Sequence, residues 1–253
     1  MFGLLSLHFF HLPEALSGES PFISRDVHWA VTREKFELAM ERLRLGKKAR
    51  RRVPVVLSHG LFVNDLLMNL DEDHSLAQYL AREGFDVWNL SLRGIGRSLN
   101  PLRGEPKNWT LDDMIGNDLS AVIRYVQKES GSSKVSWVGY EMSGLLAYGY
   151  LEKTSSSGLS ALVAIAAPVT FHQSEQAPIK KLLSLEESPL LKKAFLYLNA
   201  PMLGRNLIPL APGIERLFYN PENIEEEVKA KLLEEVLSEI NPVVLNHLLR
   251  MIK

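Results

Sequence analysis

The sequence predicts an α/β fold, a mostly parallel sheet flanked by helices. Three observations carry this expectation. Short runs such as Arg52–Ser58 (RVPVVLS) and Leu159–Pro168 (LSALVAIAAP) are apolar on both faces, as strands inside a parallel sheet are. Segments with helical spacing alternate with these runs. The joining loops are short, which calls for right-handed crossovers between parallel strands.

Residues 1–25 read as an irregular segment. Its first ten residues (MFGLLSLHFF) are apolar but lack the basic start and small-residue cleavage site of a secretory signal. The segment is expected to pack on the body, with membrane contact as the lesser alternative. Asp26–Thr32 (DVHWAVT), with a rough period of two, and Phe36–Leu43 (FELAMERL) form the first two strands. The basic run from Lys47 to Arg52 (KKARRR) sits in a connection, where solvation is its expected role and an anion or membrane patch the lesser one. The third strand, Arg52–Ser58, runs straight into His59-Gly60-Leu61-Phe62. Ser75–Glu83 places Leu76, Tyr79 and Leu80 at helical spacing, and Gly84 closes the helix.

Asp86–Leu92 (DVWNLSL) is the next strand and leads to the turn Arg93-Gly94-Ile95-Gly96-Arg97-Ser98. Trp109 to Glu129 is a long helical pattern opened by the capping signal Thr110-Leu111-Asp112-Asp113. Lys134–Tyr140 is a strand, Met142–Lys153 a helix that follows almost without a loop, and Leu159–Pro168 a last buried strand. Residues 26–170 thus form a core with six strands. Residues 171–253 read as a helical cap, with helical stretches at Glu187–Asn199 and Ile224–Ile240 interrupted by prolines, and no strand pattern returns. The tryptophans Trp29, Trp88, Trp109 and Trp137 are expected in the core.

Composition narrows the function. The chain has 253 residues, 46% of them apolar and 23% charged, an ordinary globular mix able to bury a large core without staples. The 29 basic residues against 30 acidic ones give a net charge of −1 and no electrostatic case for a nucleic-acid partner. The absence of cysteine excludes disulfides, thiolate metal sites and a Cys nucleophile, and suits a cytoplasmic protein. No apolar run approaches the ~18 residues of a membrane span. No metal or cofactor is expected. The turn at Arg93–Ser98 lacks the third glycine and directly following helix of a dinucleotide loop, and no EF-hand, Walker or His-Glu-x-x-His pattern is present.

The informative stretch is Val135-Ser136-Trp137-Val138-Gly139-Tyr140-Glu141-Met142-Ser143-Gly144. A buried strand, a glycine, one exposed residue among small neighbours and an immediate helix outline a nucleophile elbow. Gly139 and Ser143 are small because the turn is tight, and the Met142 N–H faces the place where an oxyanion would develop.

Four segments in order resemble the α/β-hydrolase superfamily, in particular its bacterial esterase/lipase-like and acid-lipase-like members. VVLSHGLFVN resembles the family's His-Gly oxyanion loop. LAREGFDVWNLSLRGIGRS resembles the helix, strand and Arg-Gly turn that follow it. WTLDDMIGNDLSAVIRYV resembles the helix before the elbow, and VSWVGYEMSGLLAYGYL the elbow and its helix. The resemblance implies an α/β-hydrolase fold. His59 and Gly60 would then shape the oxyanion loop, with Leu61 as a second N–H donor and Met142 as the first.

Two departures change the expected chemistry. The elbow residue, usually Ser in Gly-x-Ser-x-Gly, is Glu141 here. An ionised carboxylate is acceptor-only, cannot act as an alkoxide does, and puts negative charge where the oxyanion would form. Ser143, two residues further on, is expected to face packing. The family's triad acid and base His come from strands after the cap, and these last two strands are expected to be absent, since the chain reaches Lys253 in a cap helix. Glu175 matches the acid of pancreatic-type relatives only nominally, and His172 and His247 do not match the family's base.

The expected function is therefore an α/β-hydrolase-family protein without serine-hydrolase activity, its cleft open to a small apolar or acyl, lipid-like ligand. An alternative is an active hydrolase on ester, acyl or epoxide substrates. Glu141 would serve there as the Asp of haloalkane dehalogenases and epoxide hydrolases does, although it is one methylene longer. A third is a scaffold, with the edge at Leu159–Ala167 pairing with a partner or a second copy.

Overall fold

The computed structural model describes residues 22–46, 53–99, 108–154, 158–167, 220–238 and 241–252. The elements expected at Glu187–Asn199, and the side chains of His172 and Glu175, lie outside these residues.

Six strands form one sheet in the order β1-β2-β4-β3-β5-β6: β1 Ile23–Val31, β2 Glu37–Leu45, β3 Val55–Ser58, β4 Val87–Leu90, β5 Val135–Tyr140 and β6 Leu159–Ile165. The β1–β2 hairpin is antiparallel and β2 joins β4 antiparallel, whereas β4–β3, β3–β5 and β5–β6 are parallel. The central strands β3 and β4 are buried at every position. Alternation of side chains along them divides the core between the two faces. Val56, Trp88 and Leu90 pack with the helices that follow β4, and Val55, Leu57 and Val87 pack against Ala77 and Ala81.

Trp88 and Trp137 are fully buried and Trp109 packs against the core, as expected, but Trp29 is not a core residue. In the edge strand β1 its neighbours Val27 and Val31 share its outward face, and Ala30 takes the inward one, which leaves Trp29 46% exposed. The helix α1 (Leu76–Arg82) forms within the expected Ser75–Glu83, and Ser75 caps it, its side chain accepting from the Gln78 N–H at 2.9 Å. Its buried face, however, is Ala77, Gln78 and Ala81, while Leu76 and Tyr79 are exposed. Small alanines let the helix lie close on the sheet, and Asn69 accepts hydrogen bonds from both Gln78 Nε2 and Ser75 Oγ.

The pattern from Trp109 to Glu129 is one helix with an interruption. Thr110 and Asp113 form the expected capping box at the start of α2 (Leu111–Asp113). A π-helical turn, Met114–Asp118, precedes α3 (Leu119–Ser130), and Gly131 closes α3 with φ 69°. The wider turn brings both Met114 and Asp118 inward. Asp118 there meets the guanidinium of Arg93, which also bonds Glu34 at 2.5 Å and stacks 4.4 Å over the Phe36 ring. Helix α4 (Met142–Lys153) has the bounds expected of it.

The stretch expected to be helical over Ile224–Ile240 ends early. Helix α5 (Glu226–Lys231) widens into a π-helical turn, Leu232–Val236, and Leu237 then leaves the helix to pair antiparallel with Val63. Backbone partners in the loop after β3 compete successfully with helical continuation there. A last helix, α6 (Pro242–Ile252), adds Val244 and Leu248 to the main core.

Candidate active site

Glu141 occupies the turn between β5 and α4 with φ 50° and ψ −112°, a backbone conformation that costs non-glycine residues on the order of 1–3 kcal/mol. Main-chain bonds hold it there. Its N–H donates to Ile165 O at 2.8 Å, and its carbonyl accepts from the Gly144 and Leu145 N–H groups at 3.1 and 3.2 Å. The turn closes only because Gly139 has no side chain, since a Cβ there would stand 2.7 Å from Gly144 N and 2.8 Å from Ser143 C. Gly144 needs the same smallness against the Cβ of Ala167. Ser143 is fully buried, and its Oγ accepts from Trp137 Nε1 at 3.2 Å, so it faces the core.

The Glu141 side chain points across the turn to the loop after β3. Its Oε2 accepts the backbone N–H of Leu61 at 2.7 Å. Gly60 makes room for it, because a Cβ on Gly60 would lie 2.5 Å from that same Oε2 and 2.9 Å from Tyr140 Cδ1. Burial raises the carboxyl above its ordinary range, with the Leu61 bond opposing the rise. The Tyr140 phenol is raised too, by burial and by the neighbouring carboxylate. Met142 is buried at the head of α4, and Leu61 is the hydrogen-bond partner of the carboxylate.

His59 is fully buried and both ring nitrogens are engaged. Nε2 accepts the Leu92 N–H at 3.0 Å, so Nδ1 carries the proton and donates to Gly60 O at 3.0 Å. Burial holds its pKa down, at about 4. His59 thus ties the loop after β3 to the loop after β4 as a neutral ring. His28 meets Tyr125 Oη at 3.0 Å, His74 meets Asp71 at 2.8 Å, and His247 lies on α6. Among the described residues no histidine bonds Glu141.

An apolar crevice of about 20 Å³ adjoins the Leu61 N–H, lined by Leu61, Phe62, Leu92, Trp109, Met142 and Val244. That is room for about one water molecule and far less than an acyl chain needs. Val244 of α6 forms one wall, and the preceding segment is tied to the loop after β3. Asn64 N–H donates to Val236 O at 3.0 Å, Ser238 N–H to Phe62 O at 2.8 Å, and Asn64 Nδ2 to Glu235 O at 2.6 Å. Lys231 adds an ion pair to Asp71 at 2.8 Å and holds that carboxyl well below the usual range.

Two features near the site were not read as site features from the sequence. The Arg93–Asp118 pair is buried beneath the turn after β4, with Asp118 at the end of the π-helical turn. The crevice wall contributed by Val244 comes from a helix far along the chain.

Known proteins agree with this architecture. Residues 53–202 match the family model described as alpha/beta hydrolase fold, and the chain belongs to that family. It is 30% identical to lipase member K of Mus musculus over 190 residues, 68% of this chain and 48% of that lipase. It is 28% identical to triacylglycerol lipase 2 of Arabidopsis thaliana over 156 residues, 57% of this chain and 37% of that lipase. The chain therefore spans less than half the length of these curated relatives. In fold it is similar to an esterase from Exiguobacterium antarcticum, with a TM-score of 0.57 at 17% identity over 89% of this chain and 73% of that one. A thermophilic esterase from Thermogutta terrifontis is similar at a TM-score of 0.52 and 19% identity, over 90% of this chain and 72% of that one. Among the described residues no helix is long and apolar enough to cross a membrane.

Proposed function

We propose that this α/β-hydrolase-family chain does not carry serine-hydrolase chemistry at its elbow and instead binds an acyl or lipid-like group in the apolar crevice beside it. The observation that carries this reading is the 2.7 Å bond from the Leu61 N–H to Glu141 Oε2. The N–H assigned to the oxyanion is satisfied by the elbow's own side chain, and a second oxyanion beside that carboxylate would be repelled. Leu61, Phe62, Trp109 and Met142 supply an apolar wall suited to an acyl chain, and room for one requires α6 to move away at Val244.

The test is turnover of p-nitrophenyl acetate, butyrate and octanoate beside binding of a fluorescent fatty-acyl probe. The reading expects no turnover above a heat-killed control and saturable probe binding that weakens in Leu61→Asp. Turnover abolished by Glu141→Gln would replace it with a carboxylate-centred hydrolase on ester or epoxide substrates. A second reading, a scaffold, is supported by β6, which lies at one end of the sheet with Val163 50% and Ile165 39% exposed. It expects a dimer or larger species in solution, and a clean monomer would remove it.

A further inference from the structure

A second cavity lies apart from the elbow, at the opposite end of α4. It holds about 380 Å³ and is lined by the β1–β2 turn (Arg33), the π-helical turn (Ile115, Gly116, Asn117), α3 (Ser120, Arg124) and the end of α4 (Tyr150, Lys153, Thr154). At 1.5 Å per residue, Lys153 stands about 16 Å along the helix from Met142.

Its chemistry differs from that of the apolar crevice. Arg33 and Arg124 are exposed, and among the described residues neither has a carboxylate partner. Glu34, the acidic neighbour of Arg33, is engaged by Arg93. Lys153 bonds Asp112, and its charge also offsets the partial negative charge at the carbonyl end of α4. Ser120 and Arg124 are four residues apart and share one face of α3, so a hydroxyl and a guanidinium point the same way. Thr154 and Asn117 add neutral donors. Exposed Gly116 adds no bulk at the cavity's edge, and a Cβ there would meet nothing within 4 Å.

We infer that this cavity is a binding site for a phosphate monoester, with Arg33 and Arg124 as the groups that grip the phosphate. Two unanswered positive charges match the charge of about −2 on such a group at neutral pH, and planar guanidinium groups suit its oxygens through paired N–H donors. The volume exceeds that of a bare phosphate and leaves space beside Ile115 for a small organic substituent. A soluble phosphate ester and the exposed monoester headgroup of a lipid present the same chemistry.

Titration calorimetry at low salt with glycerol phosphate tests this, beside co-sedimentation with phosphatidylcholine vesicles with and without phosphatidic acid. Binding is expected to one or both ligands, to fall at least tenfold in the double variant Arg33→Gln/Arg124→Gln, and to weaken as salt is raised. Ser120→Leu, which fills the cavity without altering charge, is expected to weaken it as well. Replacing Lys47, Lys48, Arg50, Arg51 and Arg52 by Gln is expected to leave it unchanged. Response to glycerol phosphate identifies a soluble ligand, and response to the acidic vesicles alone a headgroup. Absence of both, wild-type binding by the arginine double variant, or loss on neutralising the 47–52 run instead, overturns the assignment.

Discussion

Glu141 Oε2 and the Leu61 N–H meet at 2.7 Å across 80 residues of chain, and this one bond joins the head of α4 to the loop after β3. The carboxylate takes up the N–H that the family resemblance assigns to a substrate oxyanion, so the chemistry expected of the elbow depends on the protonation and length of a single side chain.

Burial raises the Glu141 carboxyl, and this gives a signed pH effect. Above its ordinary value near 4.5 the unfolded chain loses this proton more readily than the folded one. Stability from this group is therefore present at lower pH and is lost as pH rises through the raised folded value. Urea denaturation midpoints measured from pH 4.5 to 7 should show Glu141→Gln gaining on the wild type as pH rises. An unchanged difference across that range would mean that the carboxyl is not raised.

His59 works in the other direction. Its folded value is held at about 4 against an ordinary 6.5, so its contribution is present above 6.5 and is lost as pH falls toward 4. His59→Ala should cost roughly 2–4 kcal/mol at pH 7, from a cavity and from unsatisfied Leu92 N–H and Gly60 C=O groups. It should also flatten the acid limb of the pH–stability curve. Denaturant titrations at pH 7 and pH 5 check both parts.

Two glycines should answer the same substitution with opposite signs. Gly139→Ala drives a Cβ into the backbone of Ser143 and Gly144 and should cost about 1–3 kcal/mol or more. Gly116→Ala meets open space in a helical turn and should gain about 0.5–1 kcal/mol. Thermal midpoints of the two variants beside the wild type decide the matter. A similar loss in both would mean that close approach is not what selects Gly139.

Restoring the hydroxyl should not restore a hydrolase. Glu141→Ser places an Oγ at the elbow, but among the described histidines His59 has both nitrogens engaged, His28 and His74 bond Tyr125 and Asp71, and His247 on α6 acts on Asp112. With none of these described imidazoles bonded to position 141, the variant is expected to react with a fluorophosphonate no faster than free serine. Rapid, saturable labelling would show that a base stands within reach.

Much of the fold was legible because its signals are local. Six strands, the Thr110 cap, the helix closed at Gly84 and the start of α4 at Met142 follow from hydrophobic period and capping chemistry within a few residues. The errors came where tertiary context decides. Trp29 and Tyr79 look like core residues until the sheet order makes β1 an edge and alanines bring α1 close. The π-helical turn at Met114–Asp118, which goes with the Asp118–Arg93 pair, has no signature in the hydrophobic period. At the site, the positions of Glu141, Gly139 and His59 could be read from motifs. The bond that Glu141 makes and the wall that Val244 gives the crevice depend on geometry no motif encodes.

The backbone of Glu141 is held in its costly conformation by bonds to Ile165, Gly144 and Leu145 and by the bareness of Gly139, none of which involves the side chain at position 141. The turn is thus a socket separate from what is plugged into it. A lineage can exchange the reactive group there without rebuilding the scaffold, and the scaffold's persistence says nothing about which reaction, if any, the plug performs.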